Sequence, residues 1–118
     1  LDAEGAAQMQ HLKNLMLSRP FLERVPDSSL VANQGSRYDH VEATRGERYA
    51  FLYTYTGREL KVNMGKIKGS RVKATWYNPR SGEATEAGTV GNEGTASFAP
   101  PTPEAKEGND WVLVLDAT

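Results

Sequence analysis

The chain has 118 residues and a net charge of −1, with 14 basic and 15 acidic residues interspersed along it. That length suits one domain rather than two, and the balanced charge provides no field to draw in nucleic acid or anionic lipid. The absence of Cys excludes a disulfide framework, a thiolate metal site and a thiol nucleophile, and no apolar run approaches the roughly 20 residues of a membrane span.

The first twenty residues differ in character from the rest. Ala6, Met9, Leu12, Leu15, Met16 and Arg19 follow helical spacing among good helix formers. Asp2 and Glu4 suit the positive end of a helix dipole, and Pro20 stops the run. The spacing predicts a helix from about Ala3 to Ser18 with an apolar stripe at Met9, Leu12, Leu15 and Met16. Residues 21–29 read as a connector, in which Pro26 and the polar Asp27-Ser28-Ser29 lead into a short strand over Leu30–Ala32.

From Tyr38 onward the period switches to two. His40–Thr44 is a strand, and Glu47–Thr56 is another that sets Tyr49, Phe51, Tyr53 and Tyr55 on one face. Gly57-Arg58 turns the chain into a strand carrying Leu60, Val62 and Met64, and the next carries Val72, Ala74 and Trp76. Asn78-Pro79-Arg80-Ser81-Gly82 suits a hairpin loop, with Pro79 at the second position of a type I turn and Gly82 at positive φ. Strands follow near Glu83–Val90 and Thr95–Phe98. Pro100, Pro101 and Pro103 make a rigid, donor-poor loop. Trp111–Leu115 is apolar enough for a central strand buried on both faces. Seven or eight short strands punctuated by Gly and Pro, with no internal repeat, predict a mainly β fold, an antiparallel β-sandwich preceded by one N-terminal α-helix.

The ordered features resemble a family. They are Ala6-Ala7-Gln8-Met9, Arg19-Pro20 and Val25-Pro26-Asp27, then Trp76-Tyr77-Asn78-Pro79-Arg80-Ser81-Gly82, Phe98 with Pro100-Pro101, and Asp110-Trp111-Val112-Leu113-Val114-Leu115. Together they resemble the C-terminal β-sandwich, labelled a putative collagen-binding domain, of apiosidase-like (β/α)8 glycoside hydrolases of gut bacteria. The resemblance implies that residues 1–20 form the last helix of a barrel or the segment leading out of it, that residues 21–29 connect, and that residues 30–118 form a non-catalytic accessory sandwich supporting that barrel. It also implies a secreted, periplasmic or cell-surface parent enzyme, whose catalytic carboxylates lie on the barrel.

The residues themselves offer little chemistry. Asp39, Glu42, Glu47, Glu59, Glu83, Glu86 and Asp110 fall on turns or alternate with apolar residues, as a solvated sheet face requires, rather than in the paired setting of glycoside hydrolysis. His11 and His40 lack a second ligand at zinc spacing. Asn109-Asp110 and Asp27-Ser28 could offer oxygen ligands to calcium but have no EF-hand pattern; no metal or cofactor is expected. Carbohydrate recognition by a sandwich uses exposed aromatic faces, so Tyr53, Tyr55 and Tyr77 are the candidate binding residues for polysaccharide or collagen. Phe51, Trp76 and Trp111 are expected in the core between the sheets.

Overall fold

A computed structural model describes residues 3–19, 24–33, 40–101 and 109–118, with side chains described from Met9 onward. Its elements are α1 (Ala3–Leu17), β1 (Val25–Pro26), β2 (Val41–Arg45), β3 (Tyr49–Thr54), β4 (Leu60–Asn63), β5 (Arg71–Asn78), β6 (Glu83–Gly91), β7 (Thr95–Phe98) and β8 (Trp111–Ala117). Six strands form one antiparallel sheet in the order β1-β2-β3-β8-β5-β6, and β4 pairs with β7 in a second. The fold is mainly β, as the period-two runs predict.

The apolar run of β8 takes the centre of the large sheet. Its residues pair with β3 on one side (Phe51 with Val114, Leu52 with Leu113) and β5 on the other (Trp76 with Leu113), and Trp111 through Leu115 are all buried. One face of this sheet, with Leu52, Ala74, Trp76, Trp111, Leu113 and Leu115, packs on Leu60, Val62 and Phe98 of the small sheet. The other face, with Tyr49, Phe51, Val112 and Val114, packs against Leu15 of α1. The molecule therefore has three layers: helix, six-stranded sheet, two-stranded sheet. β8 must be apolar on both sides because both of its faces are covered.

The edges of the large sheet are blunted. β1 is two residues long and contains Pro26, which has no N–H to offer a further strand. β6 is largely exposed and carries Glu83 and Glu86. Its pairing slips by one residue, with Ala74 opposite Gly88 but Thr75 opposite Glu86, so Ala87 forms a bulge beside Gly88 at φ 109°.

Local expectations compare closely. The helix ends one residue before the predicted Ser18. The 78–82 hairpin closes through Ser81 N and Gly82 N donating to Asn78 O at 3.3 and 2.7 Å, with Gly82 at φ 80°. Two expectations need correction. The predicted strand over Leu30–Ala32 is instead a 3-10 turn at Ser28–Leu30, followed by a single bridge between Val31 and Val62. Asp27 caps that turn by accepting from Ser29 N at 3.1 Å, so the backbone is curled before it can extend. Phe51 is not between the sheets. β3 turns it to the helix side, and of the three aromatics expected between the sheets Trp76 and Trp111 are there, edge to face at 6.3 Å. Of the proline loop, Pro103 lies outside the described residues, as does Asp39 among the acidic candidates.

Candidate functional site

The helix side of the large sheet gathers the polar chemistry of the chain. One row crosses the sheet from Glu42 through Tyr53 and Val112 to Tyr77 and Ala84, each opposite the next in register. Period-two alternation puts all five on one face, and α1 lies against it. Leu15 is buried there, with Leu12 and Met16 partly buried beside it.

Two arginines fasten the helix. Arg24 Nη2 donates to the carbonyl of Met16 at 2.6 Å and Arg24 Nε donates to the Tyr49 hydroxyl at 3.0 Å, so a carbonyl left open at the helix C-terminus is satisfied from the sheet side. Arg19 grips Asp116 with Nε and Nη2 at 3.1 and 2.6 Å. Both guanidinium groups also lie over the Phe51 ring, that of Arg24 at 4.8 Å and that of Arg19 at 5.7 Å from its centroid. Sequence reasoning missed Arg24 and Asp116. Their signal was only an Arg in a connector and an Asp at a strand end, and nothing in spacing joins them.

The remaining face of α1 points away from the sheet. Leu17 lies two residues after Leu15, about 200° round the helix, and Met9 six residues before it, about 120° away. Leu17 is 56% exposed and Met9 61%. Met9 therefore leaves the stripe in which the spacing had placed it.

Tyr77 sits under the helix rather than on an open face. Its hydroxyl donates to the His11 carbonyl at 3.1 Å, and burial pushes its pKa up. It forms one wall of a groove of about 310 Å³ between α1 and strands β5 and β6, lined also by Asn14, Leu15, Ser18, Arg19, Thr75, Ala84 and Val114.

Tyr53 and Tyr55 lie together at one end of the sheet. The Tyr53 ring is 4.7 Å from that of Tyr55 with planes tilted by 46°, and its hydroxyl donates to Asp110 Oδ2. Tyr55 falls beyond the end of β3 and is 41% exposed. Burial, with the Glu42 and Asp110 carboxylates nearby, raises its pKa. His40 Nε2 lies 3.3 Å from Glu42 Oε1 at the same end. The structure thus brings Tyr53 and Tyr55 together and sets Tyr77 two strands away beneath the helix.

On the inter-sheet side, Trp76 Nε1 is buried without a hydrogen-bond partner among the described residues, which costs about 1–3 kcal/mol. The described residues hold no cluster of three or more His, Cys, Asp or Glu suited to a metal ion, and no helix long and apolar enough to cross a membrane.

A family model described as "Putative collagen-binding domain of a collagenase" matches residues 25–116. The chain belongs to that family. Two solved structures are similar well beyond fold. A glycoside hydrolase is 42% identical with a TM-score of 0.90, over 98% of this chain and 26% of its own. A glycoside hydrolase family 5 protein from Bacteroides vulgatus ATCC 8482 is 40% identical with a TM-score of 0.90, over 97% of this chain and 25% of its own. The chain spans about a quarter of the length of these hydrolases, so its size and family are those of a non-catalytic accessory domain. The family match begins at Val25, whereas the structural similarity reaches back over α1. A comparison with curated proteins finds no match.

Proposed function

We propose that this domain supports the catalytic (β/α)8 barrel of a secreted bacterial glycoside hydrolase, with the helix of residues 1–20 as the seat, residues 21–29 as the connector and residues 30–118 as the supporting sandwich. The observation that carries this reading is the outer face of α1. Met9 and Leu17 are exposed on a helix whose opposite face packs on the sheet through buried Leu15 and partly buried Leu12 and Met16, while the similar hydrolases have about three-quarters of their length outside the match. Exposed apolar side chains on a fixed helix fit a covered interface. The test is the intact enzyme. Deleting residues 21–118, or introducing Met9→Glu with Leu17→Glu, is expected to lower its melting temperature by about 5 °C or more. The same double substitution in the 118-residue chain alone should leave its melting unchanged. An intact enzyme that melts normally in both forms refutes the proposal.

A second reading, a carbohydrate- or collagen-binding module using Tyr53, Tyr55 and Tyr77, draws on the exposed Tyr55 ring propped against Tyr53. It requires Tyr55→Ala to lose retention on an insoluble polysaccharide or collagen at unchanged melting temperature. Equal retention by that variant removes it.

A further inference from the structure

The groove beside α1 shares Tyr77 with the second reading, on which this inference rests, but its other lining residues enter neither reading. We infer that it is a subsite for one neutral saccharide ring. A pyranose presents an apolar C–H face and a rim of hydroxyls, and the groove matches both. Its floor and wall are Leu15, Val114 and the Tyr77 ring. Because the Tyr77 hydroxyl is already committed to the His11 carbonyl, the ring is held fixed and offers its apolar surface at little entropic cost.

The polar groups stand on opposite walls. Asn14 accepts at Oδ1 from Gln10, but its two N–H donors have no partner among the described residues. The hydroxyl of Thr75 is likewise without a partner among them, and the register puts Thr75 on the same face as Tyr77. Two unspent groups, one on α1 and one on β5, thus flank an apolar floor, the arrangement by which small-molecule sites fix orientation.

Charge and size narrow the ligand. The charged lining residue, Arg19, is spent on Asp116 and on the Ser18 hydroxyl, so the groove favours a neutral ligand over an acidic one. At about 310 Å³ it lies at the small end of ligand pockets, which run from about 300 to 1,000 Å³, enough to seat one ring. Asn14 and Ser18 lie about 60–100° to one side of Leu15 on the helix and Met9 about 120° to the other. Leu17 lies about 60° beyond Asn14 on that same side, so a sugar here would clear a partner seated on Met9 and border one that also covers Leu17.

The experiment is a titration of the isotopically labelled 118-residue chain with the methyl pyranosides of glucose, galactose, mannose, xylose and rhamnose, followed by amide NMR. At least one is expected to shift the amides of Asn14, Thr75, Tyr77 and Ala84 with a dissociation constant of about 1 mM. Thr75→Val should weaken that binding by about fivefold or more. Ala84→Trp, which fills the groove from an exposed position, should abolish it, and Asn14→Ala at an exposed helix position serves if the Trp variant does not fold. The inference falls if none of the five shifts these amides. It falls equally if the shifts gather at Tyr53 and Tyr55, or if folded variants bind as the parent chain does.

Discussion

Asp27 ties the Ser28–Leu30 turn to β2 with one carboxylate. Its Oδ1 accepts from the backbone N–H and hydroxyl of Ser29, and its Oδ2 accepts from Arg45 Nε at 2.6 Å. Those bonds to Ser29 and then to Arg45 hold its pKa below the ordinary 3.8. The stabilisation from Asp27 is therefore complete above about pH 4 and drains away as pH falls below that value through the folded pKa. Asp27→Asn is expected to cost about 1–2 kcal/mol at neutral pH, and its denaturant midpoint should fall less steeply below pH 4 than that of the parent chain. Gly57 makes a second case. It sits at φ 69°, and an added Cβ would lie 2.7 Å from the Asn109 carbonyl oxygen and closer still to that side-chain amide. Asn109 is buried and accepts from Trp111 Nε1 at 3.2 Å, so it has little room to retreat. Gly57→Ala should lose more than the roughly 1–2 kcal/mol of a left-handed non-glycine residue, measured by chemical denaturation. The turn at Gly57-Arg58 was legible in the sequence as a break between two alternating runs. The Asn109 contact was not, because it joins residues about fifty positions apart.

At the scale of elements, α1 carries apolar side chains on two faces and its anchoring is uneven. Leu15 is buried to 6% exposure, Leu12 and Met16 only partly, and the two arginines close its C-terminal end. Leu15→Ala is expected to destabilise the 118-residue chain by about 2–3 kcal/mol. A loss under about 0.5 kcal/mol would mean that the helix does not depend on the sheet face. The strands from β2 to β8 were legible to within a few residues because alternation and Gly or Pro breaks are local signals. So was the two-sided burial of β8. What alternation cannot reveal is which of two faces meets which layer. The face bearing Tyr49, Phe51 and Tyr53 meets a helix, and the opposite one meets the small sheet. Tyr53, Tyr55 and Tyr77 were equivalent in the sequence for that reason. Their separation into one exposed ring, one propped ring and one ring roofed by α1 is a property of the layers.

For the whole molecule, the sandwich was readable from its strand count and the helix from the first twenty residues, but not that the helix would form a layer on the large sheet. The strand order was not, since no local pattern tells β8 to lie between β3 and β5. That order has a consequence for how the protein is made. Until β8 arrives, β1-β2-β3 and β5-β6 are separate units, each ending in an unpaired edge where β8 will later sit. Both units are synthesised before their common neighbour, so the large sheet cannot close while the chain is still being extended through Asp110. A message cut short before Trp111 would release a three-stranded unit and a hairpin with apolar flanks and no means of joining them, a product bound for aggregation or proteolysis rather than for a weakened native state.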